Sequence, residues 1–379
     1  MYFQWGEKCS EGDFCEVLLN MLPYVPFIHY QPCNRTIKMK DLESTIKLLA
    51  ARGKGILAAD ESSPTITKRF AAVNVESTEE TRRAYRDMLM TTPGVNEFIA
   101  GVILFEETLN QKALDGTPFP EKLQQLGIVP GIKVDKGLVI LPNTADEQTT
   151  QGLDGLAERL VDYKAKGARF AKWRAVYAIS ENTPSMLAIE TNAEGLARYA
   201  AICQANGIVP IVEPEVLIDG AHTIERSAEV CERVLNAVFR ALKKHKVQLE
   251  YMILKPSMVI NGKTCPVKAS AEEVAKATIT VLKRTVPAAV PTINFLSGGQ
   301  SSEEATANLN AMNALCGNLP WNVSYSYARA LQDKPMKLWH GDNQQVKVAQ
   351  QAFYHRAKLN SLASVGKYAV SMEKETATA

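Results

Sequence analysis

Residues 169–179 read RFAKWRAVYAI, an apolar, β-prone run carrying Lys172 and Arg174 two places apart with Trp173 between them. Successive side chains of a strand point to opposite faces, so Lys172 and Arg174 project one way and Trp173 the other. Upstream, residues 149–166 form an amphipathic pattern closed by Gly167; downstream, residues 193–206 form a second one closed by Gly207, and IVPIV follows at 208–212. Helix and strand alternating over connections too long for hairpins makes the strands parallel. The same rhythm extends in both directions. Short apolar runs recur at 55–59 (GILAA), 98–105 (FIAGVILF), 128–134 (IVPGIKV), 251–254 (YMIL), 292–296 (TINFL) and 323–327 (VSYSY), eight in all with the two above. Amphipathic segments at 77–90, 225–246, 270–285 and 302–315 separate them, and 343–362 reads as a closing helix. Eight such units predict an α/β fold, a single (β/α)8 barrel with a C-terminal helix. No GxGxxG follows the first run, as an open dinucleotide-binding sheet would require.

The 379 residues are 46% apolar and 22% charged, an ordinary globular profile. Lys plus Arg number 43 against 41 Asp plus Glu, a net charge of +2, which argues against a dedicated nucleic-acid binder. No apolar run approaches the roughly 18 residues of a membrane span. Seven cysteines form no CxxC pair and read as the reduced thiols of a cytoplasmic protein. The five histidines show neither HxH nor HExxH spacing, so no metal and no cofactor is expected; the chemistry falls to Lys, Arg, Asp and Glu. Residues 1–39 read as a nonstandard extension. Their apolar stretch 17–28 is broken by Pro23 and Pro26, and Glu7, Glu11, Asp13 and Glu16 precede it, unlike a secretory or transit signal. The barrel is expected over 40–368, with a flexible polar tail at 369–379.

Charges gather where these strands end. Asp60 follows GILAA, Lys133 lies in GIKVD, Glu213 and Glu215 repeat the two-residue spacing of Lys172 and Arg174, Lys255 ends YMILK, Ser297-Gly298-Gly299 follows TINFL, and Arg329 follows VSYSYA. One such charge is an ordinary surface residue. Seven strands presenting them at the catalytic end of a barrel suggest a site. The glycine pair after the seventh strand and the arginine after the eighth suit a phosphate. Lys255, with apolar neighbours, suits a nucleophilic amine, which needs burial and a nearby cation; Lys172 is placed to be that cation, with Glu213 and Asp60 as proton shuttles. Such a set fits Schiff-base chemistry on a phosphorylated ketose.

The motifs GKGILAADES (53–62), GVILFEET (101–108), GIKVDKG (131–137), FAKWR (170–174), LARYA (196–200), VPIVEPE (209–215), LKPSMV (254–259), FLSGGQS (295–301) and YARALQ (327–332), in this order, resemble those of the class I fructose-bisphosphate aldolases. The resemblance covers roughly residues 40–368. It implies that Lys255 forms the Schiff base with fructose 1,6-bisphosphate, that Glu213 is the acid and base for the carbinolamine with Glu215 in support, and that Lys172 holds the carbinolamine oxygen. Asp60 would take the proton from the hydroxyl beside the scissile bond. Ser297, Gly298, Gly299 and Arg329 would hold the phosphate beside the ketone; Ser62, Thr65, Arg69, Lys133, Arg174 and, more weakly, Arg82 are candidates for the other. It also implies a homotetramer and secondary binding of actin or other acidic partners. Three departures stand out: Ser63-Pro64-Thr65 where members commonly carry TGS, Ala328 where many carry Gly, and a chain ending Thr376-Ala377-Thr378-Ala379 where most eukaryotic members end in a tyrosine that aids proton exchange. The last tyrosine is Tyr368, so slow proton exchange on dihydroxyacetone phosphate is expected, measurable as tritium or deuterium loss.

Two other readings compete. One is another phosphosugar-binding barrel, such as a transaldolase-like enzyme or an aldolase preferring fructose 1-phosphate; borohydride trapping with dihydroxyacetone phosphate separates Schiff-base enzymes from the isomerases, and comparing mono- and bisphosphate cleavage settles the preference. A binding protein without turnover is separated by Lys255→Met, which would spare partner binding.

Overall fold

The computed structural model describes residues 33–374. The expected extension therefore lies mostly outside the described residues. The helix Cys33–Leu49 begins seven residues before the expected barrel start at 40 and runs into it. Eight strands close into a parallel barrel: β1 (Gly55–Ala59), β2 (Ile99–Leu104), β3 (Val129–Lys133), β4 (Phe170–Tyr177), β5 (Val209–Val216), β6 (Ile253–Leu254), β7 (Thr292–Phe295) and β8 (Asn322–Tyr327). Each pairs with its neighbour in sequence, and β8 returns to β1 with Ile56 opposite Ser326. The eight expected runs are these eight strands.

Alternation sorts the side chains into two layers. Leu57, Trp173, Val212 and Leu254 face the surrounding helices and join the large outer core; Trp173 stacks on Tyr199 of the helix Met186–Ala205. Ile56, Ile103, Val129, Phe170, Val209, Ile211 and Ile253 face inward and form a second core with Leu42, Ile46 and Leu49, so the first helix stoppers the N-terminal end. Gly131 makes room there, because a β-carbon at that position would lie 2.3 Å from the Phe170 ring. Local signals set the helix starts. Thr78, Ser270 and Ser301 each cap a helix in a reciprocal capping box, offsetting backbone N–H groups that would otherwise lack partners.

Two expectations change. The helix read at 149–166 begins only at Leu156. Thr149 and Thr150 instead pair with Val139 and Leu138 in a small hairpin, and Gly152 and Gly155 take positive φ, which ends any helix before 156. The stretch read as a tail from 369 contains a 3-10 turn, Val370–Lys374, in which Glu373 pairs with the buried Arg356 and accepts a 2.9 Å bond from the Tyr368 hydroxyl. Residues 375–379 lie outside the described ones.

Candidate active site

Extending the inward parity of each strand by one or two steps past the apolar core turns it polar. Ile56 and Ala58 lead to Asp60, Val129 and Gly131 to Lys133 and Asp135, Phe170 to Lys172 and Arg174, Ile211 to Glu213 and Glu215, and Ile253 to Lys255. These groups line one cavity of about 660 Å3 at the C-terminal mouth, together with Glu61, Ser62, Thr65, Lys68, Arg69, Ser297, Gly298, Ser326 and Arg329.

Its centre is a buried charge lattice. The Lys172 ammonium lies 2.7 Å from Asp60 Oδ2, 3.5 Å from Glu213 Oε2 and 3.8 Å from Asp135 Oδ2. Lys255 Nζ lies 3.1 Å from Glu213 Oε1, so one carboxylate bridges the two lysines. Lys133 Nζ bonds Asp135 Oδ1 at 2.7 Å. Lys172, Glu213 and Lys255 are each 4% exposed, and charges so deep in a protein persist only when paired. Burial opposes the charge on Asp60, yet the cations of Lys172, Lys255 and Lys133 overcome it and hold its carboxyl far below the usual range. Burial likewise disfavours the Lys172 ammonium, but Asp60, Glu213 and Asp135 outweigh that and keep it protonated. Lys172 is therefore a fixed cation beside the Lys255 amine.

The rim is wetter. Arg174 donates to Glu215 at 2.8 Å and stays 42% exposed along its side chain. Ser62 and Thr65 share a hydroxyl contact of 3.1 Å at the start of the helix Ser63–Ala71, with Pro64 in its first turn where no N–H is missed. Arg69 is held by Glu61, by Gln332 at 3.1 Å and by Asp333 at 3.0 Å. Across the mouth, Gly298 and Gly299 take φ of +53° and +87°, which a side chain would strain. Arg329 opens the helix Arg329–Trp339, with Ala328 just before it on the cavity wall.

Of the residues singled out in the sequence, Arg82 is not brought to this cavity. It lies on the helix Glu79–Met90, donating to Glu107 at 2.9 Å and to the Ser77 carbonyl at 3.1 Å. Gly299 sits beside the lining residues, a β-carbon there falling 3.7 Å from Arg329. Asp135, Lys68, Glu61 and Ser326 were missed. Asp135 stands two places after Lys133, the same spacing that marked Lys172 with Arg174 and Glu213 with Glu215. Lys68 lies on the helix after β1, where strand alternation carries no information.

Fold and site together define a lysine-based enzyme of the (β/α)8 class. The family description "Fructose-bisphosphate aldolase class-I" matches residues 41–379. A relative named fructose-bisphosphate aldolase, from Dictyostelium discoideum, is 57% identical over 331 residues, 86% of this chain and 92% of its own. One from Arabidopsis thaliana, named fructose-bisphosphate aldolase 4, cytosolic, is 55% identical over 363 residues, 96% of this chain and 92% of its own. The solved fructose-bisphosphate aldolase of Plasmodium falciparum, in complex with TRAP and a small-molecule inhibitor, superposes with a TM-score of 0.86 at 51% identity, covering 88% of this chain and 96% of its own. The chain belongs to the class I fructose-bisphosphate aldolase family: it is a lyase that cleaves fructose 1,6-bisphosphate reversibly to dihydroxyacetone phosphate and glyceraldehyde 3-phosphate.

Proposed function

We propose that this cleavage runs on a Schiff base formed by Lys255. The observation that carries the assignment is the single buried carboxylate, Glu213, placed 3.1 Å from the Lys255 amine and 3.5 Å from the Lys172 ammonium. Lys172 is kept cationic by its carboxylates and stands on the other side of Glu213 from Lys255. The free amine of Lys255 attacks the ketone carbon, and Lys172 steadies the carbinolamine oxygen. Glu213, with Glu215 in support, takes the proton lost by the attacking nitrogen and passes it to that oxygen, then relays one more from solvent, so that the oxygen leaves as water and an iminium remains. Asp60 then takes the proton from the hydroxyl at C4. The C3–C4 bonding pair moves toward the iminium, glyceraldehyde 3-phosphate departs, and an enamine remains. That step discharges the iminium and removes one of the cations holding Asp60 acidic, so Asp60 becomes a better base as the bond breaks. Protonation of the enamine at C3 and hydrolysis return the amine and release dihydroxyacetone phosphate.

Ser297, Gly298, Gly299 and Arg329 hold the phosphate beside the ketone; Ser62, Thr65, Arg69, Lys133 and Arg174 hold the distal one. Arg82 has no part in this assignment, being engaged by Glu107. Residues 40–368 are the catalytic unit. The enzyme acts in the cytoplasm, as do the relatives from Arabidopsis and Spinacia oleracea by their names, and no described helix is long and apolar enough to cross a membrane. Its assembly is a homotetramer, to be read by light scattering after size exclusion. The cationic rim, with Lys68, Arg174 and Arg329, also suits acidic peptides and cytoskeletal partners such as actin, in line with the TRAP complex of the Plasmodium enzyme.

The test is borohydride reduction in the presence of dihydroxyacetone phosphate, followed by peptide mass spectrometry. A reduced adduct on Lys255 is expected, and an adduct on any other lysine overturns the mechanism.

A further inference from the structure

Asp135 is 8% exposed and belongs to none of the roles above. Its two oxygens differ. Oδ1 is tied to Lys133 at 2.7 Å and to the Gly137 N–H at 3.3 Å, which fixes the carboxylate's orientation. Oδ2 is sealed from solvent and has no hydrogen-bond partner among the described residues; the nearest cation is Lys172, at 3.8 Å, too long for a bond. A buried acceptor left open costs free energy unless something fills it during the working cycle.

Lys172 supplies the reason. Its shortest contact is with Asp60 at 2.7 Å, and Asp60 is the group assigned to take the substrate's proton. Once it has done so, Asp60 is neutral and Lys172 loses its closest counter-charge inside a low-dielectric pocket. The other carboxylate near Lys172 is Glu213, whose Oε1 is held by Lys255 at 3.1 Å while its Oε2 faces Lys172 at 3.5 Å. Around Lys172 stand Asp60 from β1, Lys133 and Asp135 from β3, Arg174 from its own strand, Glu213 from β5 and Lys255 from β6. Two of these carboxylates hold a buried oxygen without a hydrogen-bond partner near the Lys172 ammonium, Glu213 Oε2 at 3.5 Å and Asp135 Oδ2 at 3.8 Å; Glu213 has proton transfers of its own to perform at Lys255, which leaves Asp135 as the carboxylate with no other task.

Resting on the roles proposed above, we propose that Asp135 is a positioning residue for carbon–carbon cleavage, the carboxylate to which Lys172 transfers an N–H bond when Asp60 becomes protonated. The proton passes from the C4 hydroxyl to Asp60, the ammonium keeps all three of its hydrogens, and one N–H turns from Asp60 Oδ2 to Asp135 Oδ2. No other bond changes. The device lowers the cost of neutralising Asp60 at the moment the chemistry requires it, and makes no contact with the substrate.

The variants Asp135→Asn and Asp135→Glu test it on the full chain. Asn keeps the shape and removes the charge. It is expected to lower kcat for fructose 1,6-bisphosphate by about ten- to a hundredfold, the worth of one hydrogen bond to a charged group, with KM moving far less. Trapping of dihydroxyacetone phosphate on Lys255 by borohydride precedes the Asp60 step and is expected to survive. The acid limb of the kcat profile should move to lower pH, because removing an anion near Asp60 makes its carboxyl give up the proton more readily. Asp135→Glu should recover part of the rate. An unchanged kcat in Asn overturns the proposal. So does a parallel fall of kcat, substrate affinity and trapping, the mark of a purely structural residue. A wild-type chain that fails to trap on Lys255 condemns the underlying mechanism instead, so the two failures are told apart.

Discussion

Within the barrel, Phe170 and Lys172 stand two residues apart on one strand and face the same interior, yet they live in opposite environments. Phe170 is fully buried among Ile211, Val129 and the helix Cys33–Leu49, its ring filling space left by Gly131. Lys172 is as deeply buried, but among Asp60, Asp135 and Glu213. Strand parity decides that both point inward. Height along the barrel decides which partners they meet, because the strands run in parallel and reach their charged positions at the same level: Lys133 stands opposite Lys172, and Arg174 opposite Glu213. The lower half of the interior therefore contributes stability and the upper half chemistry, as expected of a barrel whose site occupies the C-terminal face.

The sharpest way to break this division is Lys255→Met. It should lower kcat by roughly 10^5-fold, as loss of a covalent nucleophile does, while the chain stays folded with a modestly lowered thermal midpoint, because Glu213 loses Lys255 but keeps the Lys172 ammonium at 3.5 Å as a counter-charge. A variant that unfolds would mean that the mouth also holds the barrel together. Phe170→Ala is the converse. It should cost about 3–5 kcal/mol of stability through the cavity it leaves, read from the urea midpoint, while turnover per folded molecule suffers far less; a dead but stable variant would erase the division.

A third test uses pH. Asp60's carboxyl is held below its unfolded value of about 3.9. Its contribution to stability is therefore fully present above that value and is lost as pH falls from about 4 toward the depressed native one. Asp60→Asn should flatten this acid limb of stability, measured by denaturant unfolding between about pH 5 and 2; an unaltered limb would place the acid sensitivity elsewhere. The smallest effect is expected at the rim. Arg174→Ala should raise KM for the bisphosphate by about tenfold with kcat nearly kept, since a half-exposed charge pair contributes modestly. A kcat loss as large as that of Lys255→Met would move Arg174 into the reaction centre.

The division also explains how much could be read from residues alone. Period-two alternation makes β4 and β5 visible in the sequence, and the same alternation puts Lys172 with Arg174, and Glu213 with Glu215, on one face of each strand. Asp135 keeps the two-residue spacing from Lys133 but lies beyond the end of β3, where strand alternation no longer marks a side chain as inward. The hairpin was hidden for another reason. Thr149, Thr150 and Gly152 sit within a span that also fits a helical pattern, and only pairing across to Leu138 and Val139 decides between them. Arg82 illustrates the remaining limit: a cation on a neighbouring helix gives no sign of which way it reaches, and Glu107, 25 residues away, claims it. Charge balance between distant carboxylates and lysines is a property of closure, which no local window contains.

Closure has one more consequence, in time rather than in space. The groups at the mouth come from seven of the eight strands, and the seam between β1 and β8 joins residues 56 and 326, nearly the full span of the barrel. A nascent chain emerging from its N-terminus holds Asp60 and Lys172 long before it can hold Arg329. Half a barrel thus holds only part of the site, and the full set of groups meets only when the seam between β1 and β8 closes. The last strand to be synthesised is the one that switches the first one on.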